Sequence, residues 1–363
     1  MGPGKEMMER WGGEELITTL DQETGSWIVI AIHSSRNGRA AGGLRMKRYG
    51  ALDEVVLDAM NLSEAMTYKF ALCNLQWGGA KSVIHATRDL DDRERRRLLM
   101  RFGEILKNLK GRYYVGPDVG TTSEDMDTIF TTGEPYVFSR TVGAGGAGTS
   151  AIPTALGVYA GIKTTCRRLF GTDSLAGRSV LIQGLGSVGL HLKTLLIRDG
   201  ARILYTETNQ KVVDQMSVLE PEARFIPPGE IHDAECDIFS PCAHGGVLNE
   251  ESIPRLRCKG IAGAANNQLR ETEDAKRLKR RGILYAPDYA VNLGGAMGIT
   301  LMEAEGATEK ESFDNVQRSV SQTLEEIYAA ADKAGTDTVE AAMGIARKRL
   351  ENGLQSKRQT ENN

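Results

Sequence analysis

The most constraining stretch of this sequence is a short apolar strand that runs straight into a glycine turn and then a helix. Ser179-Val180-Leu181-Ile182-Gln183 is followed without a break by Gly184-Leu185-Gly186-Ser187-Val188-Gly189. Leu190, Leu192, Leu195, Leu196 and Ile197 mark the helix, and a second strand from Ala201 to Thr206 ends in Glu207. A lone G-x-G-x-x-G says little, but strand, turn, helix, strand and terminal acid in register specify a βαβ unit that binds a dinucleotide. Gly184 permits the tight turn, Gly186 lets backbone approach a pyrophosphate, and Gly189 lets helix and strand pack closely. Leu185, Ser187 and Val188 complete the cradle, where free N–H groups and the positive helix end attract phosphate. Glu207, 18 residues past Gly189, is placed to accept hydrogen bonds from a ribose diol and to repel a 2′-phosphate. NAD is therefore expected rather than NADP.

At 363 residues the chain is too long for one ordinary core, and two α/β domains are the natural expectation. The net charge of −3 leaves no basic excess to neutralise phosphates, so no nucleic acid partner is expected. The basic run from Arg93 to Arg101 is interleaved with Glu94, Leu98, Leu99 and Met100 and reads as a solvated helix face. No apolar stretch reaches the ~20 residues of a membrane span, and no signal-peptide core is evident. A cytoplasmic protein that does not meet a membrane is expected. Five scattered cysteines with no C-x-x-C pair fit free thiols in a reducing compartment. His232, Cys236, Cys242 and His244 lack the spacing of a zinc module, so no metal is expected.

Along the chain, Ser26 to Ile32 reads as a strand, and Asp53 as the N-cap of a long helix ending near Lys69. Gln76-Trp77-Gly78-Gly79-Ala80 reads as a loop, with a strand starting at Lys81. A helix from about Asp91 to Leu109 and a strand from Arg112 to Val115 follow. Val142 to Ser150 is rich in glycine and reads as a hinge or mobile loop between domains. A helix from about Thr154 to Phe170 precedes strands and helices in the alternation of a parallel sheet. Glu309 to Leu350 reads as largely helical, and the polar tail from Gln355 as frayed. The expected fold class is α/β. Residues 1–145 would form a substrate and oligomerisation domain, 146–330 a doubly wound Rossmann domain, and 331–363 a helical segment packing back toward the first domain.

In the first half, Met66-Thr67-Tyr68-Lys69 and Gly78-Gly79-Ala80-Lys81 place two lysines twelve residues apart, each in apolar or glycine-rich surroundings. Such lysines converge on a cleft. One pressed near another cation and out of water loses basicity, as acid–base work near neutral pH requires. The other, kept charged, would clamp an anion such as a carboxylate. Gly116-Pro117-Asp118-Val119-Gly120-Thr121-Thr122 follows a strand, and Asp118 there reads either as a turn residue or as an acid.

Taken together these segments resemble the glutamate/leucine/phenylalanine/valine dehydrogenase family, above all its shorter leucine and phenylalanine members. The resemblance runs from about Ser26 to Leu350. Besides the segments above it is carried by Gly42-Gly43-Leu44-Arg45-Met46, by Ala262-Gly263-Ala264-Ala265-Asn266-Asn267-Gln268-Leu269, and by Tyr285-Ala286-Pro287-Asp288-Tyr289 with Asn292-Leu293-Gly294-Gly295. It implies that Lys69 holds the substrate α-carboxylate, that Lys81 activates the water attacking the imine, and that Asp118 exchanges protons with the amino group. It places Asn266 and Asn267 where the amino acid and nicotinamide are oriented, Gly43 in a loop near the substrate, and Thr154 among the cofactor-binding residues. The implied reaction is reversible oxidative deamination of an L-α-amino acid by NAD to the 2-oxo acid and ammonia, in a homo-oligomer of two to eight subunits.

The sequence departs from its leucine-type relatives at Ala80, where they carry a third glycine, at Pro117, where they carry an acid, and at Glu207, where they carry aspartate. The positions resembling the leucine pocket are Ala41, Gly116, Ala296 and Ile299, mostly smaller than their counterparts, which points to a bulky or aromatic side chain ahead of branched aliphatic ones. The competing expectations are an amine or imine reductase on the same scaffold, and a non-catalytic NAD-binding regulatory protein.

Overall fold

The computed structural model describes residues 3–35 and 38–361, with side chains described between Lys5 and Asn352. The chain divides into two compact units, each interrupted in sequence. The first comprises Met1–Thr149, Met302–Gly306 and Ala346–Asn363, the second Ser150–Leu301 and Ala307–Ile345. The division falls at Thr149/Ser150 instead of 145/146, and the C-terminal segment expected to act as one piece is shared between the units.

The first unit contains α1 (Pro3–Trp11), β1 (Glu15–Leu20), β2 (Trp27–Ile32), β3 (Ala40–Lys47), α2 (Leu52–Leu72), β4 (Gly78–His85), α3 (Asp92–Asn108), β5 (Tyr113–Pro117) and α4 (Ser123–Gly133). Its five strands lie in the order β1-β2-β4-β3-β5. The β1–β2 and β2–β4 pairs are antiparallel, while β3 runs parallel to both β4 and β5. Strand alternation sends two residue sets to opposite faces. Ile28, Ile30, Ile32, Leu44, Ile84, Tyr113 and Val115 meet Leu98, Leu99, Phe102 and Leu106 of α3 and Met126 and Ile129 of α4. On the other face Val29, Ala31 and Val83 meet Val55, Ala59 and Met60 of α2, with Trp11 beside them.

Local chemistry explains the element ends. Asp91 and Glu94 form a reciprocal capping box at the start of α3. Asp53 is not the N-cap of α2. That position is Ala51, without a side-chain bond, and Asp53 sits in the first turn, where an acid complements the helix dipole. The loop expected at Gly78–Ala80 is instead the buried start of β4, hydrogen-bonded on both sides to β2 and β3. Glycine serves there as a surface for close packing: a Cβ on Gly79 would lie 2.1 Å from the Thr67 nitrogen and 2.5 Å from the Ser63 carbonyl oxygen of α2.

The second unit starts with α5 (Ala151–Phe170), one turn earlier than expected, and continues with β6 (Ser179–Gln183), α6 (Ser187–Arg198), β7 (Arg202–Thr206), α7 (Gln210–Leu219), β8 (Arg224–Phe225), β9 (Ile238–Pro241), β10 (Gly260–Ile261), α8 (Glu273–Arg280), β11 (Leu284–Tyr285) and α9 (Asp288–Val291). Six strands run parallel in the order β11-β10-β9-β6-β7-β8. The chain winds outward from β6 to β8, then returns to the other side of β6, so the order reverses between β6 and β9. That reversal is where doubly wound sheets bind their ligands.

Helix α10 (Gly294–Glu305) carries the chain from the second unit into the first, α11 (Glu309–Ala334) lies in the second, and α12 (Thr338–Glu361) ends in the first. In α10, glycines at 294, 295 and 298 let the helix press on Ser150, Pro153 and Thr154. Glu303, in the part of α10 that belongs to the first unit, accepts hydrogen bonds from the backbone of Ser139 (3.0 Å) and Ala147 (2.5 Å). The segment expected as a hinge ends at the unit boundary, and it forms a short 3-10 turn at Val142–Ala144 held by Arg140 through the Ala144 carbonyl. The tail expected to fray from Gln355 stays helical to Glu361, a stretch of good helix formers. Its last two residues lie outside the described ones. Among the described residues no helix is long and apolar enough to cross a membrane.

Candidate active site

The first unit builds its site on the sheet face that α2 covers. Along β4 the alternation that buries Val83 under α2 also sends Lys81 to that face, and the Lys81 side chain is only 7% exposed. Its ammonium lies 3.1 Å from Oδ2 of Asp118. Burial lowers the basicity of Lys81, Asp118 opposes that and Arg45 reinforces it, and the net shift is downward. Burial alone would raise the Asp118 pKa, but the cations of Lys81 and Arg45 outweigh it and hold the carboxylate ionised.

Asp118 is held by the loop that follows β5. Thr121 donates its hydroxyl to the Leu44 carbonyl at 2.8 Å, and the Asp118 amide donates to the Thr121 hydroxyl at 3.0 Å. Gly120, with φ of +83°, passes so close to β3 that a Cβ would lie 1.9 Å from the Met46 carbonyl oxygen. Pro117 ends β5, an edge strand of the sheet, where a missing N–H is tolerated.

Small residues surround the Lys81–Asp118 pair. Ala41 pairs with Gly79, and Gly43 with Gly116, on the face that carries Lys81. Gly43 is not in a loop but inside β3, where a Cβ would sit 2.9 Å from the Asp118 Cβ and 3.1 Å from the Lys81 ammonium. A Cβ on Gly116 would meet only the Phe138 Cβ, at 3.9 Å. Phe138 stacks on Tyr114 with ring centres 5.2 Å apart. Lys69 stands half-buried in the last turn of α2.

Sequence reasoning missed two residues that hold this pair in place, Arg45 and Asp58. Arg45 donates through Nε to the same Asp118 oxygen at 2.8 Å and through a terminal nitrogen to Asp58 at 2.9 Å. Asp58, on α2, also accepts the Tyr49 hydroxyl at 2.5 Å. The signals were present. Arg45 is two residues past Gly43 on a strand, hence on the same face. Asp58 precedes Lys69 by eleven residues, about three helical turns, which puts both on one stripe of α2.

The second unit builds a glycine turn between β6 and α6. Gly184 turns with φ of +92°, and a Cβ there would lie 2.7 Å from that of Ala243, just past β9. Gly189 packs against the turn itself, its Cβ position 2.1 Å from the Gly184 carbonyl oxygen. Around Gly186, the exposed N-cap of α6, there is open space instead, with nothing within 4 Å of a Cβ. Ser187 and Val188 open the helix, while the Leu185 side chain is buried. The Leu185 amide donates to Glu207 at 2.8 Å, and the amides of Thr208 and Asn209 donate to its other oxygen at 2.7 and 2.9 Å. Burial would raise the Glu207 pKa, but these backbone donors lower it overall. With the Thr208 hydroxyl at 3.4 Å, the carboxylate accepts four hydrogen bonds that shape the turn.

Asn266 and Asn267 lie exposed beyond β10, Asn267 in the left-handed region with φ of +52°. Asn292 donates to Asn266 at 2.8 Å and to the Ala264 carbonyl at 3.1 Å. Gln268, fully buried, donates to the carbonyls of Gly263 and Ala265, and its amide binds Asp288. Asn292, Gln268 and Asp288 are thus the support of the loop. Thr154 donates its hydroxyl to the Ser150 carbonyl at 2.7 Å. Ala296 and Ile299, three residues apart, share one stripe of α10, the first half-buried and the second buried.

Comparison with known proteins shows which family the chain matches. Residues 20–134 match the family described as Glu/Leu/Phe/Val dehydrogenase, dimerisation domain, and residues 203–357 match the Glutamate/Leucine/Phenylalanine/Valine dehydrogenase family. The chain is 38% identical over 344 residues to leucine dehydrogenase of Thermoactinomyces intermedius, covering 95% of this chain and 92% of that one. It is 37% identical over 347 residues to phenylalanine dehydrogenase of Lysinibacillus sphaericus, covering 93% and 88%. Among solved structures, L-tryptophan dehydrogenase from Nostoc punctiforme superposes with a TM-score of 0.84 at 33% identity, over 97% of this chain and 99% of that one.

Proposed function

The chain belongs to the glutamate/leucine/phenylalanine/valine dehydrogenase family and is an amino acid dehydrogenase, and we propose that it uses NAD to deaminate a bulky or aromatic L-α-amino acid. The observation that carries the reading is the buried Lys81 ammonium 3.1 Å from Asp118, a lysine of lowered basicity beside an ionised acid. With its proton lost, Lys81 activates water for attack on the substrate iminium. Asp118 takes and returns protons at the substrate nitrogen, and Lys69 binds the α-carboxylate.

The cradle suits NAD. Open space at Gly186 admits a pyrophosphate to the backbone at the α6 N-terminus, and the ionised Glu207 disfavours a 2′-phosphate. When bound, NAD accepts the hydride from the substrate Cα. Asn266, steadied by Asn292, orients amino acid and nicotinamide. The substrate preference rests on Ala41 and the unfilled space at Gly116, and the relatives that act on phenylalanine and tryptophan are in keeping with it. Five free cysteines fit a cytoplasmic setting, and the match to a dimerisation domain supports a homo-oligomer.

NADH formation with each of the twenty L-amino acids, with NADP in parallel, tests the reading. Saturable turnover of phenylalanine or tryptophan with NAD, abolished in Lys81→Ala, is expected. Comparable turnover of valine with rejection of phenylalanine overturns the size argument, and full rate in Lys81→Ala overturns the role of the lysine.

A further inference from the structure

Lys81 and Asp118 do not stand as an isolated pair. A single guanidinium, that of Arg45 on β3, reaches Oδ2 of Asp118 from one edge and both oxygens of Asp58 (2.9 and 3.3 Å) from the other. Asp58 belongs to α2, the helix that also bears Lys69. The hydroxyl of Tyr49 donates to Asp58, burial and that carboxylate raising its pKa so that it stays protonated, and the Lys47 ammonium lies 4.0 Å away. The Arg45 and Asp58 side chains are 19% and 25% exposed, so water screens the chain of charges only in part.

We propose that Arg45 and Asp58 are positioning residues for the reaction. Arg45 fixes the Asp118 carboxylate beside Lys81, and Asp58 neutralises Arg45 so that the buried lysine and acid face a balanced field instead of an unpaired cation. This rests on the deamination reading above. Besides burial, the groups that bear on Lys81 are Asp118 after β5, Arg45 on β3 and Asp58 on α2; the other titratable groups on the elements packed around it are Lys47, Tyr49, Lys69, His85, His33 and Tyr113. Within this set Arg45 lowers and Asp58 raises the basicity of Lys81, so removing each acts with opposite sign. Without the guanidinium, Lys81 and Asp118 both hold their protons to higher pH. Without the Asp58 charge, the uncompensated guanidinium makes Lys81 release its proton at lower pH.

The test is kcat/KM against pH for amino acid oxidation in the wild type, Arg45→Gln, Arg45→Lys and Asp58→Asn. The limb that rises as Lys81 deprotonates is expected to move to higher pH in Arg45→Gln and to lower pH in Asp58→Asn, each by about 0.3 unit or more, a twofold change in the deprotonated fraction on that limb. Arg45→Lys keeps the charge but loses the planar fork, so its limb stays near that of the wild type while kcat falls. Rates that drop without movement of the limb, or limbs that move the same way, overturn the proposal. Asp58→Asn is nearly isosteric and carries the test alone should Arg45→Gln fail to fold. Competitive acetylation of Lys81 with acetic anhydride across pH, read by mass spectrometry, follows the same opposed shifts without turnover. If the wild type forms no NADH while the acetylation curves of the two variants still shift in opposite senses, the deamination reading fails and only the coupling of Arg45 and Asp58 to Lys81 stands. Acetylation curves that do not shift, in an enzyme that does form NADH, overturn the coupling alone.

Discussion

Replacing Gly186 by alanine separates a glycine kept for a ligand from one kept for the fold. Gly186 is the N-cap of α6 with φ of −71° and ψ of −166°, a backbone any residue adopts, and nothing lies within 4 Å of where the new methyl would stand. The free protein should therefore tolerate the change. Alanine restricts the unfolded chain, which stabilises by about 0.4–1 kcal/mol, and the poorer N-cap costs about 0.5–1 kcal/mol, so the two nearly cancel. With NAD the balance differs, because the methyl projects into the space through which a pyrophosphate reaches the helix amides. Losing one charge-assisted N–H bond to phosphate costs about 1.5–3 kcal/mol, or roughly 10- to 150-fold in Kd. Isothermal titration with NAD and a thermal melt of the free protein read the two quantities separately. The expected result is an unchanged melt with weakened binding. Gly189→Ala supplies the contrast, since its methyl would stand 2.1 Å from the Gly184 carbonyl oxygen and should lower the melt as well. A Gly186→Ala protein that binds NAD within about twofold of the wild type would refute the assignment of this turn to the pyrophosphate.

Glu207→Gln removes the charge proposed to disfavour a 2′-phosphate and sets an amide N–H against one of three backbone donors. NADP should gain on NAD by about tenfold in kcat/KM, the worth of ~1.4 kcal/mol of relieved repulsion, and an unchanged ratio would remove Glu207 from cofactor choice. Gly116→Val adds methyls where only the Phe138 Cβ is in reach. It should fold normally yet lower aromatic relative to aliphatic turnover by roughly 10- to 200-fold, whereas an unaltered ratio would place the substrate side chain elsewhere. Asp237 would be raised by burial, but the Ser179 amide and hydroxyl, Lys259 and Arg178 hold its pKa below the usual value. Its contribution to stability is therefore present above the ordinary carboxylate pKa of about 3.9 and lost as pH falls through the folded value. Urea midpoints of wild type and Asp237→Asn should converge on acidification, and a gap equal at pH 7 and in acid would show that the charge contributes nothing.

What the sequence made legible was chemistry with a local signature. The turn from Gly184 to Gly189 with Glu207 after it, and the helix from about Asp91, declare themselves within a few residues because the forces involved act over a few residues. Lys81, Asp118 and Lys69 emerged from their surroundings and from resemblance. Gly78 to Ala80 looked like a loop because glycine usually marks one, yet here glycine lets a helix touch a central strand, a reason that lies in α2 and not in the segment itself. Gly43 was placed in a loop by the family resemblance, yet it lies inside β3. Arg45 and Asp58 meet because β3 and α2 stack: spacing places each on the right face of its own element, but which element it faces is set by the tertiary fold.

The three-part composition of the first unit has a consequence for how the protein is made. Ser139 and Ala147 wait for Glu303, the Trp77 indole for Glu305 at 3.3 Å, and the Leu72 carbonyl for Arg349. A ribosome delivers the second unit, nearly whole, before the last piece of the first appears. The part of the chain synthesised first is thus the last to be finished. A truncation after Ile345 spares every residue of the second unit and leaves the first unit, begun earliest, incomplete.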